Sequence, residues 1–438
     1  MSATTIAAIA TPPGRGGVGV IRLSGPSALP IAQGLTGLSA FSPRHAHLTA
    51  WYDADGTIID RGITLHFPSP HSYTGEDAVE LQAHGSPLLL RVLLERVFAL
   101  GAVPAQPGEF TKRAVVSGKM DLSQAEAVAA CIDAATLRAA RQAQRHLEGE
   151  FGRRIEALMH ELTGLVANVE ACLDFPEEDI PEPLYATLRE RAETLLLKPM
   201  LAMLDTARFG ERLFEGAHVA IVGAPNVGKS SLLNRLAGYE RAIVSEVAGT
   251  TRDVVEIDFE VHGIPVRLLD TAGIHVTDDA IEQEGVRRAH AAAGRADAVI
   301  LVADALRPET WASSVEADIR VMNKSDAAPD VAIPDGFLPV SARTGVGIEA
   351  FQRDLARLLG DADFSGESLL VTRERHRIAI ANAAAAVRSG LAMLADEEKL
   401  DLVALEWRRA WASMGEILGL GDIDHILDRV FSDFCIGK

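Results

Sequence analysis

HVAIVGAPNVGKSSLLNRLAG, residues 218–238, joins three patterns that together predict a nucleotide-binding fold. An apolar run of strand type is followed by a turn that fits GxxxxGK(S/T) in full, and then by a helical pattern. The backbone N–H groups of such a turn surround phosphates at the N-terminus of the helix. We predict that Lys229 reaches the β- and γ-phosphates and that the Ser230 hydroxyl coordinates Mg²⁺. The segment therefore predicts a P-loop domain.

Three further motifs follow in chain order, each at the end of a predicted strand. Asp270-Thr-Ala-Gly273 offers a carboxylate for the Mg²⁺ shell and a glycine N–H for the γ-phosphate. Asn323-Lys324-Ser325-Asp326 places a carboxylate where it accepts hydrogen bonds from N1–H and the 2-amino group of guanine. Adenine lacks these donors, and an unpaired buried acceptor is costly, so Asp326 predicts selection of GTP over ATP. Ser341-Ala342 is predicted to supply a backbone N–H to the base.

The predicted GTP site draws on five short segments. They contribute Asn226, Val227, Gly228, Lys229, Ser230, Ser231, Ser245, Glu246, Val247, Ala248, Gly249, Thr250, Thr251, Asp270, Thr271, Ala272, Gly273, Asn323, Lys324, Asp326, Ser341 and Ala342. Thr251 lies where a switch loop belongs, and its hydroxyl is predicted to reach Mg²⁺. Ras-like enzymes place a water-orienting Gln directly after the glycine of the DxxG motif, but Ile274 stands there in this chain. An isoleucine cannot orient water, and the chain shows no obvious arginine finger in cis, so some other positive charge must neutralise the transition state.

Charge and composition narrow the classes of protein. The chain has 438 residues and a net charge of −19, which excludes a protein coated in basic residues for non-specific nucleic-acid binding. Any nucleic acid must be met at a local site or through a partner. Only the first 119 residues are close to neutral. Three cysteines without a CxxC pair exclude a disulfide scaffold, and the absence of a signal sequence or a long apolar run predicts the cytosol and no membrane association.

The distribution of strand and helix patterns predicts four parts. Residues 1–118 read as strands and turns with few helices, and residues 119–210 read as alanine-rich helices. Residues 211–362 repeat strand, turn and helix, and residues 363–438 are helical again. The economical interpretation is one helical domain with an α/β domain inserted into it. Gly14 to Gly19 also fits GxGxxG, but it precedes a strand and opens no helix, so it does not predict a dinucleotide site.

The two ends of the chain carry a more specific signal. TPPGRGGVGVIRLSG (residues 11–25), SYTGEDAVELQAHG (72–85) and PGEFTKRA (107–114) resemble the MnmE family of tRNA-modification GTPases, also called TrmE, and so does the terminal Cys435-Ile-Gly-Lys438. The resemblance covers the whole chain. It implies a multidomain α/β fold with an N-terminal α+β folate-binding and dimerisation domain, a helical domain, and an inserted Ras-like P-loop GTPase domain with a mostly parallel sheet.

The resemblance also implies an activity, cofactors and partners. In that family, GTP hydrolysis drives addition of a carboxymethylaminomethyl-type group to C5 of the wobble uridine of certain tRNAs. A tetrahydrofolate derivative, in the 5-formyl or methylene form, is the one-carbon donor. The chain is expected to form a homodimer, and its G domains to pair in a potassium-dependent way. A flavoprotein partner, MnmG, which carries FAD, is expected to join it in a heterotetramer-type complex that acts on tRNA.

Position by position, the resemblance implies roles for particular residues. Asn226, Ser245, Val247 and Thr250 match the potassium site, Glu282 matches a carboxylate that orients the attacking water, and Arg22, Glu80, Lys119 and Lys438 match the folate pocket. Cys435 is a candidate catalytic thiol, and the sequence leaves open whether it is chemical or structural. Read without the family, Glu282 is a solvated helix carboxylate and Arg22 an edge-strand surface charge.

One alternative from another class remains. An Era-like, GTP-switched ribosome-assembly or RNA-binding factor shares the GTPase motifs but performs no modification chemistry. Such a factor is expected to append a basic RNA-binding module. The C-terminal block of this chain is acidic and ends in CIGK, which favours the first interpretation.

Overall fold

The computed structural model describes residues 4–174, 182–239, 258–269, 293–312, 315–360, 369–421, 430–431, 434 and 437. The chain divides into two compact units. The first comprises residues 1–129, 147–155 and 415–438, and the second comprises residues 130–146 and 156–414.

The first unit is built on a six-stranded sheet. Its strands are β1 (Ile6–Ile9), β2 (Gly19–Ser24), β3 (His47–Tyr52), β4 (Ile58–Phe67), β5 (Ala78–Ala83) and β6 (Val103–Pro104). Their order is β3-β4-β5-β2-β1-β6, and all neighbours are antiparallel except β1 and β6. The hairpin predicted at Asp55-Gly56 is confirmed, because β3 and β4 pair on either side of it. Gly56 has a φ of 84°, a left-handed conformation that glycine adopts without strain.

Helices cover one face of this sheet. They are α1 (Ala28–Thr36) and α2 (Pro87–Ala99), and α2 begins with Pro87 in its first turn, as such helices often do. Leu23 and Leu81, on adjacent strands, point to this face and pack with Leu93 of α2, all three fully buried. The alternation of apolar and polar residues along β2 and β5 explains why the other face carries charged side chains.

Two shorter helices follow, α3 (Glu109–Val116) and α4 (Leu122–Asp133). The start of α4 is the capping box predicted from Asp121 and Gln124: the Asp121 carboxylate accepts from the Gln124 N–H at 2.8 Å, and the Gln124 side chain accepts from the Asp121 N–H at 3.0 Å. Leu122 packs with Phe431 and Phe434, so the end of the chain lies in the same unit as its beginning.

The second unit contains a mostly parallel six-stranded sheet. Its strands are β7 (Ala217–Val222), β8 (Asp258–Val261), β9 (Ile264–Leu269), β10 (Ala298–Asp304), β11 (Ile319–Asn323) and β12 (Phe337–Pro339). The order is β12-β11-β10-β7-β9-β8, and only β8 runs antiparallel to its neighbour. The strands predicted before the P-loop and before the Asn-Lys-Ser-Asp motif are β7 and β11. All seven residues of β10 are buried, as expected for a parallel strand covered on both faces.

The remaining described helices range from 8 to 25 residues in length. They are α5 (Leu137–Leu147), α6 (Glu150–Asp174), α7 (Glu182–Arg191), α8 (Lys198–Asp205), α9 (Ala207–Glu215), α10 (Lys229–Tyr239), α11 (Ile348–Leu358), α12 (Glu374–Met393) and α13 (Leu400–Leu418). A π-helical segment, Ala192–Leu197, joins α7 to α8. Gly390 lets α12 approach the buried Trp407 of α13, because a Cβ at Gly390 would lie 2.3 Å from the indole nitrogen. Within the described residues, no helix is both long and apolar enough to cross a membrane.

Candidate functional site

The P-loop turn lies between the end of β7 and the start of α10. Two of its glycines allow close backbone approaches: a Cβ at Gly223 would lie 2.2 Å from the carbonyl oxygen of Val302, and one at Gly228 would lie 2.3 Å from Asn323 Nδ2. Asn226, exposed between them, has a φ of 63°. The loop therefore leads directly into the N-terminus of α10. There, unpaired backbone N–H groups and the helix dipole favour the binding of an anion.

Lys229, the first residue of α10, is held inside this turn. Its Nζ donates to the carbonyl oxygens of Gly223 at 2.7 Å and Ala224 at 3.0 Å. The ammonium group is thus placed at the centre of the loop by the loop's own acceptors. Ser230 and Ser231 follow in the first turn of α10 and are exposed, so their hydroxyls are accessible to a ligand.

The Asn323-Lys324 pair is tied to the back of the P-loop. Asn323 is 2% exposed, and its Nδ2 donates to the Val227 carbonyl at 2.9 Å. Lys324 has a φ of 62°, and its Nζ donates to the Asn226 carbonyl at 3.0 Å. The end of β11 therefore positions the phosphate loop at the end of β7, across the intervening strand β10.

Asp304, the last residue of β10, completes this connection and was not predicted. It is 1% exposed, and its Oδ2 accepts from Lys324 Nζ at 2.6 Å. Its Oδ1 accepts from the Leu306 N–H at 3.0 Å, so the buried carboxylate is paired and hydrogen-bonded. The signal available in the sequence was an acidic residue at the end of an apolar run, AVILVAD.

Asp326 lies in the short 3₁₀ turn Ser325–Ala327 that follows β11. Its Oδ1 accepts from the Ser341 hydroxyl at 2.7 Å. The predicted backbone donors at Ser341 and Ala342 already have acceptors: the Ser341 N–H donates to the Val346 carbonyl at 2.9 Å, and the Ala342 N–H to Asn323 Oδ1 at 3.1 Å. A contact of either amide with a base would have to share or replace these bonds.

A cavity of about 650 Å³ opens beside this region. Ser231, Asn234, Arg235 and Gly238 line it from one face of α10, and Ala342 lines it from the base-binding segment. Its volume falls within the range of small-molecule sites, and its lining is largely polar. The cavity thus adjoins both the predicted phosphate and the predicted base contacts.

Several predicted site residues lie outside the described residues. They are Ser245, Glu246, Val247, Ala248, Gly249, Thr250, Thr251, Asp270, Thr271, Ala272, Gly273, Glu282, Cys435 and Lys438. The switch segment, the DxxG motif, part of the potassium site and the candidate thiol therefore stay predictions.

A second polar site lies in the first unit, on the sheet face opposite α1 and α2. Arg22 on β2 faces Glu80 on β5, and its Nε and Nη2 donate to Glu80 Oε1 at 3.0 and 2.9 Å. β2 is an interior strand, flanked by β1 and β5, so the edge-strand interpretation of Arg22 is wrong. The Arg22 guanidinium lies 5.6 Å from the centre of the Tyr73 ring and 5.8 Å from that of Phe110.

Tyr73 was not singled out in the sequence, although it lies in the SYTGED segment. Its hydroxyl is 2.9 Å from the Thr111 hydroxyl, and burial raises the pKa of the phenol above its ordinary value. The pair of Arg22 and Tyr73 thus offers a cation and an aromatic face beside the Glu80 carboxylate.

Lys119 contacts the loop between β4 and β5 that also carries Tyr73. Its Nζ donates to the Pro70 carbonyl at 3.0 Å, and its Cγ would be 3.3 Å from a Cβ at Gly75. The loop itself is fixed by Glu76, which accepts from Ser24 at 2.7 Å and from Arg113 at 2.9 Å. Three described residues were predicted for the folate pocket: Arg22, Glu80 and Lys119. Arg22 and Lys119 contact this loop, and Glu80 is bonded to Arg22.

The end of the chain reaches this sheet. Gly437 has a φ of 99°, and a Cβ there would lie 2.4 Å from the Ile9 carbonyl oxygen and 3.0 Å from the Ala10 Cα. Ile9 ends β1, which pairs with the strand that carries Arg22. Gly437 is thus packed against the end of β1, the strand next to the one that carries Arg22.

A glycine-rich turn between a parallel strand and a helix, with an Asn-Lys-Ser-Asp segment bonded to its back, defines a P-loop GTPase fold in the second unit. Known proteins place the chain more narrowly. The family model described as the GTP-binding protein TrmE N-terminus matches residues 5–119, and that of the MnmE helical domain matches residues 122–435. The chain belongs to the MnmE family.

Two relatives illustrate the extent of the similarity. The tRNA modification GTPase MnmE of Xylella fastidiosa (strain 9a5c) is 46% identical over 444 residues, which cover 99% of this chain and 98% of the relative. That of Dechloromonas aromatica (strain RCB) is 45% identical over 457 residues, covering both chains in full. Among solved structures, the FeoB G-domain of Methanococcus jannaschii matches 33% of this chain at 24% identity, with a TM-score of 0.26. The family predicted from the two ends of the chain is confirmed.

Proposed function

We propose that this chain hydrolyses GTP and, with a flavoprotein partner of the MnmG type, drives addition of a carboxymethylaminomethyl-type group to C5 of the wobble uridine of certain tRNAs. The observation that carries the proposal is the similarity over 99% of the chain to relatives named tRNA modification GTPases. The similarity includes both the P-loop region and the polar site on the N-terminal sheet. We assign this activity to the cytosol.

At the GTP site, Lys229 holds the β- and γ-phosphates, and Ser230 and Thr251 hold Mg²⁺. Asn226, Ser245, Val247 and Thr250 hold K⁺, which supplies the positive charge that an arginine finger supplies in other GTPases. Glu282 orients the attacking water. Support comes from the position of Lys229 within its loop and from the exposure of Ser230 and Asn226 at that loop. The GTPase domain is the insertion at residues 211–362.

Pairing of two G domains within a homodimer closes the site. The N-terminal domain, residues 1–118, mediates homodimerisation. The helical domain comprises residues 119–210 and 363–438. K⁺ and GDP–aluminium fluoride together are expected to bring the G domains into contact, and scattering or spin-label distances measure this.

The N-terminal site holds the one-carbon donor, a 5-formyl or methylene form of tetrahydrofolate. A pterin ring carries N–H donors, and both contacts from Arg22 go to Oε1 of Glu80, which leaves Oε2 as an acceptor for such donors. Lys119 and Lys438 match the anionic glutamate tail in charge. Cys435 serves this chemistry either as a reactive thiol or as a residue that holds the C-terminal segment in place. FAD belongs to the partner.

Nucleoside mass spectrometry separates this function from an Era-like role in ribosome assembly. A strain that lacks the chain is expected to lose the C5 modification of wobble uridine, and the native chain on a plasmid to restore it. Normal modification in the deletion strain, with a defect in ribosome assembly, would overturn the proposal in favour of the alternative.

A further inference from the structure

The most basic of the described helices lies outside both sites. Helix α5, LRAARQAQRHL, contains three arginines and no acidic residue, so its side chains carry a net charge of +3. None of the other described helices exceeds +2, and the whole chain has a net charge of −19. A polyanion approaching the chain is therefore repelled on average and attracted at this helix.

The three arginines form one row. Arg138, Arg141 and Arg145 are spaced at i, i+3 and i+7, which places them along one side of the helix. The neighbouring side, with Ala139 and His146 among its buried residues, packs into the core. Packing of the buried side sets the orientation of the helix and therefore of the row of arginines. Arg141, in the middle of the row, is exposed.

Contacts with neighbouring elements fix both ends of the helix. The Arg138 guanidinium lies 4.7 Å from the centre of the Phe209 ring on α9, and its Nη1 donates to the His262 carbonyl. At the other end, His146 Nε2 lies 2.9 Å from the Leu370 carbonyl oxygen. Helix α5 is thus a rigid support for its arginines.

A fourth arginine lies on the segment that His146, at the end of α5, contacts. Arg373 follows Leu370 by three residues, so their Cα atoms are at most about 11 Å apart. It is exposed and is the N-cap of α12, where the helix dipole adds positive potential. Arg377, one turn further on, is not counted with it because Glu374 and Glu211 act on its charge and raise its pKa. We call Arg138, Arg141, Arg145 and Arg373 the basic row.

We infer that the basic row binds the phosphate backbone of the tRNA substrate. The inference rests on the proposed function and adds where the body of the RNA is held. Arginine suits this task because its planar guanidinium makes paired hydrogen bonds with phosphate oxygens. Backbone contacts position a nucleic acid without reading its sequence, so the row would serve every tRNA substrate alike.

Salt-dependent binding tests the inference. The full-length chain and the double variant Arg141→Gln/Arg373→Gln are titrated with an unmodified tRNA transcript at several salt concentrations. Arg353→Gln/Arg409→Gln is the matched control, since both arginines are exposed, lie on α11 and α13, and change the net charge equally. GTP hydrolysis and the thermal midpoint of all three proteins are expected to agree, which shows that the variants fold.

The expected result is a shallower salt dependence for the basic-row variant alone. Each lost phosphate contact lowers the slope of log K against log salt by roughly 0.7–0.9, so two contacts lower the affinity about tenfold or more near 0.1 M salt. Equal slopes for the variant and the control would overturn the inference, and so would a native chain that binds no tRNA at low salt. Loss of flavoprotein binding with unchanged tRNA binding would assign the row to a protein partner and also overturn it.

Failure of this inference and failure of the proposed function give different results. If the native chain and the basic-row variant restore wobble-uridine modification equally, the proposed function stands and the assignment of the basic row to tRNA binding is wrong. If the native chain restores none, the proposed function itself is wrong.

Discussion

Asp326 is the residue that we propose selects the base. Its carboxylate accepts from the Ser341 hydroxyl at 2.7 Å, so the side chain is already oriented before a base arrives. A preoriented acceptor loses less rotamer freedom on binding and therefore binds its donors more tightly. Ser341 is fully buried, so the donor hydroxyl of this hydrogen bond is shielded from water.

Replacing Asp326 by Asn tests this role. Asp326→Asn exchanges one acceptor oxygen for a donor opposite the 2-amino group of guanine, so preference is expected to move from GTP to XTP. Competition binding with the two nucleotides measures the ratio. Asp330→Asn, an exposed carboxylate four residues away, is the control. A variant that keeps the native preference for GTP would contradict the assignment.

Replacing Asp304 by Asn tests whether its ion pair with Lys324 supports the P-loop. Asp304→Asn keeps the shape and the acceptor for Leu306 but removes the charge that faces Lys324 at 2.6 Å. Hydrogen bonds to charged groups contribute about 1.5–3 kcal/mol. We therefore expect the free energy of GTP binding to become less favourable by up to about 2 kcal/mol. Calorimetry measures it.

The control for this prediction is Asp318→Asn. Asp318 accepts from the Val299 N–H at 2.8 Å, at the opposite end of β10. That variant is expected to bind GTP normally. Equal losses in both variants would mean that the effect is general destabilisation of the sheet, and the assigned role of Asp304 would be wrong.

At the scale of elements, the local features were predictable from sequence. The P-loop and the capping box of α4 depend on residues within a few positions of one another, so short patterns such as GAPNVGKS and Asp121-x-x-Gln124 specify them. The β3–β4 hairpin followed from Asp55-Gly56 for the same reason. Each of these elements is closed by hydrogen bonds within a single segment.

Features that depend on strand order were not predictable. Arg22 could be read as an edge-strand charge because nothing near it in sequence shows that β1 and β5 flank its strand. The roles of Asp304 and Tyr73 arise only where distant segments meet: Asp304 at the end of β10 meets Lys324 at the end of the neighbouring strand β11, and Tyr73 meets Arg22 and Thr111. Such contacts are set by tertiary packing and leave no spacing in the sequence.

The C-terminal segment offers a prediction at this scale. Gly437→Ala would place a Cβ 2.4 Å from the Ile9 carbonyl in a backbone conformation unfavourable to alanine, so the segment must shift away from β1. We expect wobble-uridine modification to be lost, as on removing the last four residues or in Cys435→Ser, and GTP hydrolysis to remain nearly native. Nucleoside mass spectrometry and a phosphate-release assay measure the two activities.

Gly421→Ala is the matched control for this prediction. Gly421 also has a positive φ, 101°, but a Cβ there meets nothing within 4 Å. The control carries the same backbone strain without the clash and is expected to support normal modification. Normal modification in Gly437→Ala as well would show that the position of the terminal segment does not matter.

For the molecule as a whole, the proposed hydrolysis mechanism needs a cation. Hydrolysis is expected to be slow in sodium and faster in potassium, because K⁺ takes the place of an arginine finger. Such fingers increase rates by roughly 10³–10⁵, and we expect less here because K⁺ must first be desolvated. Asn226→Ala is expected to lose the potassium response more than GTP binding, with Asn382→Ala on α12 as an exposed control. Equal rates of the native chain in the two salts would contradict this mechanism.

In the proposed function, GTP hydrolysis by this chain drives the modification of tRNA. The most direct measurement is reconstitution with the purified chain, its flavoprotein partner, a folate one-carbon donor and an unmodified tRNA transcript, followed by mass spectrometry of the wobble nucleoside. We expect the C5-modified nucleoside with GTP, and almost none with a non-hydrolysable GTP analogue or without the chain. Equal amounts of modified nucleoside with GTP and with the analogue would contradict the proposed function.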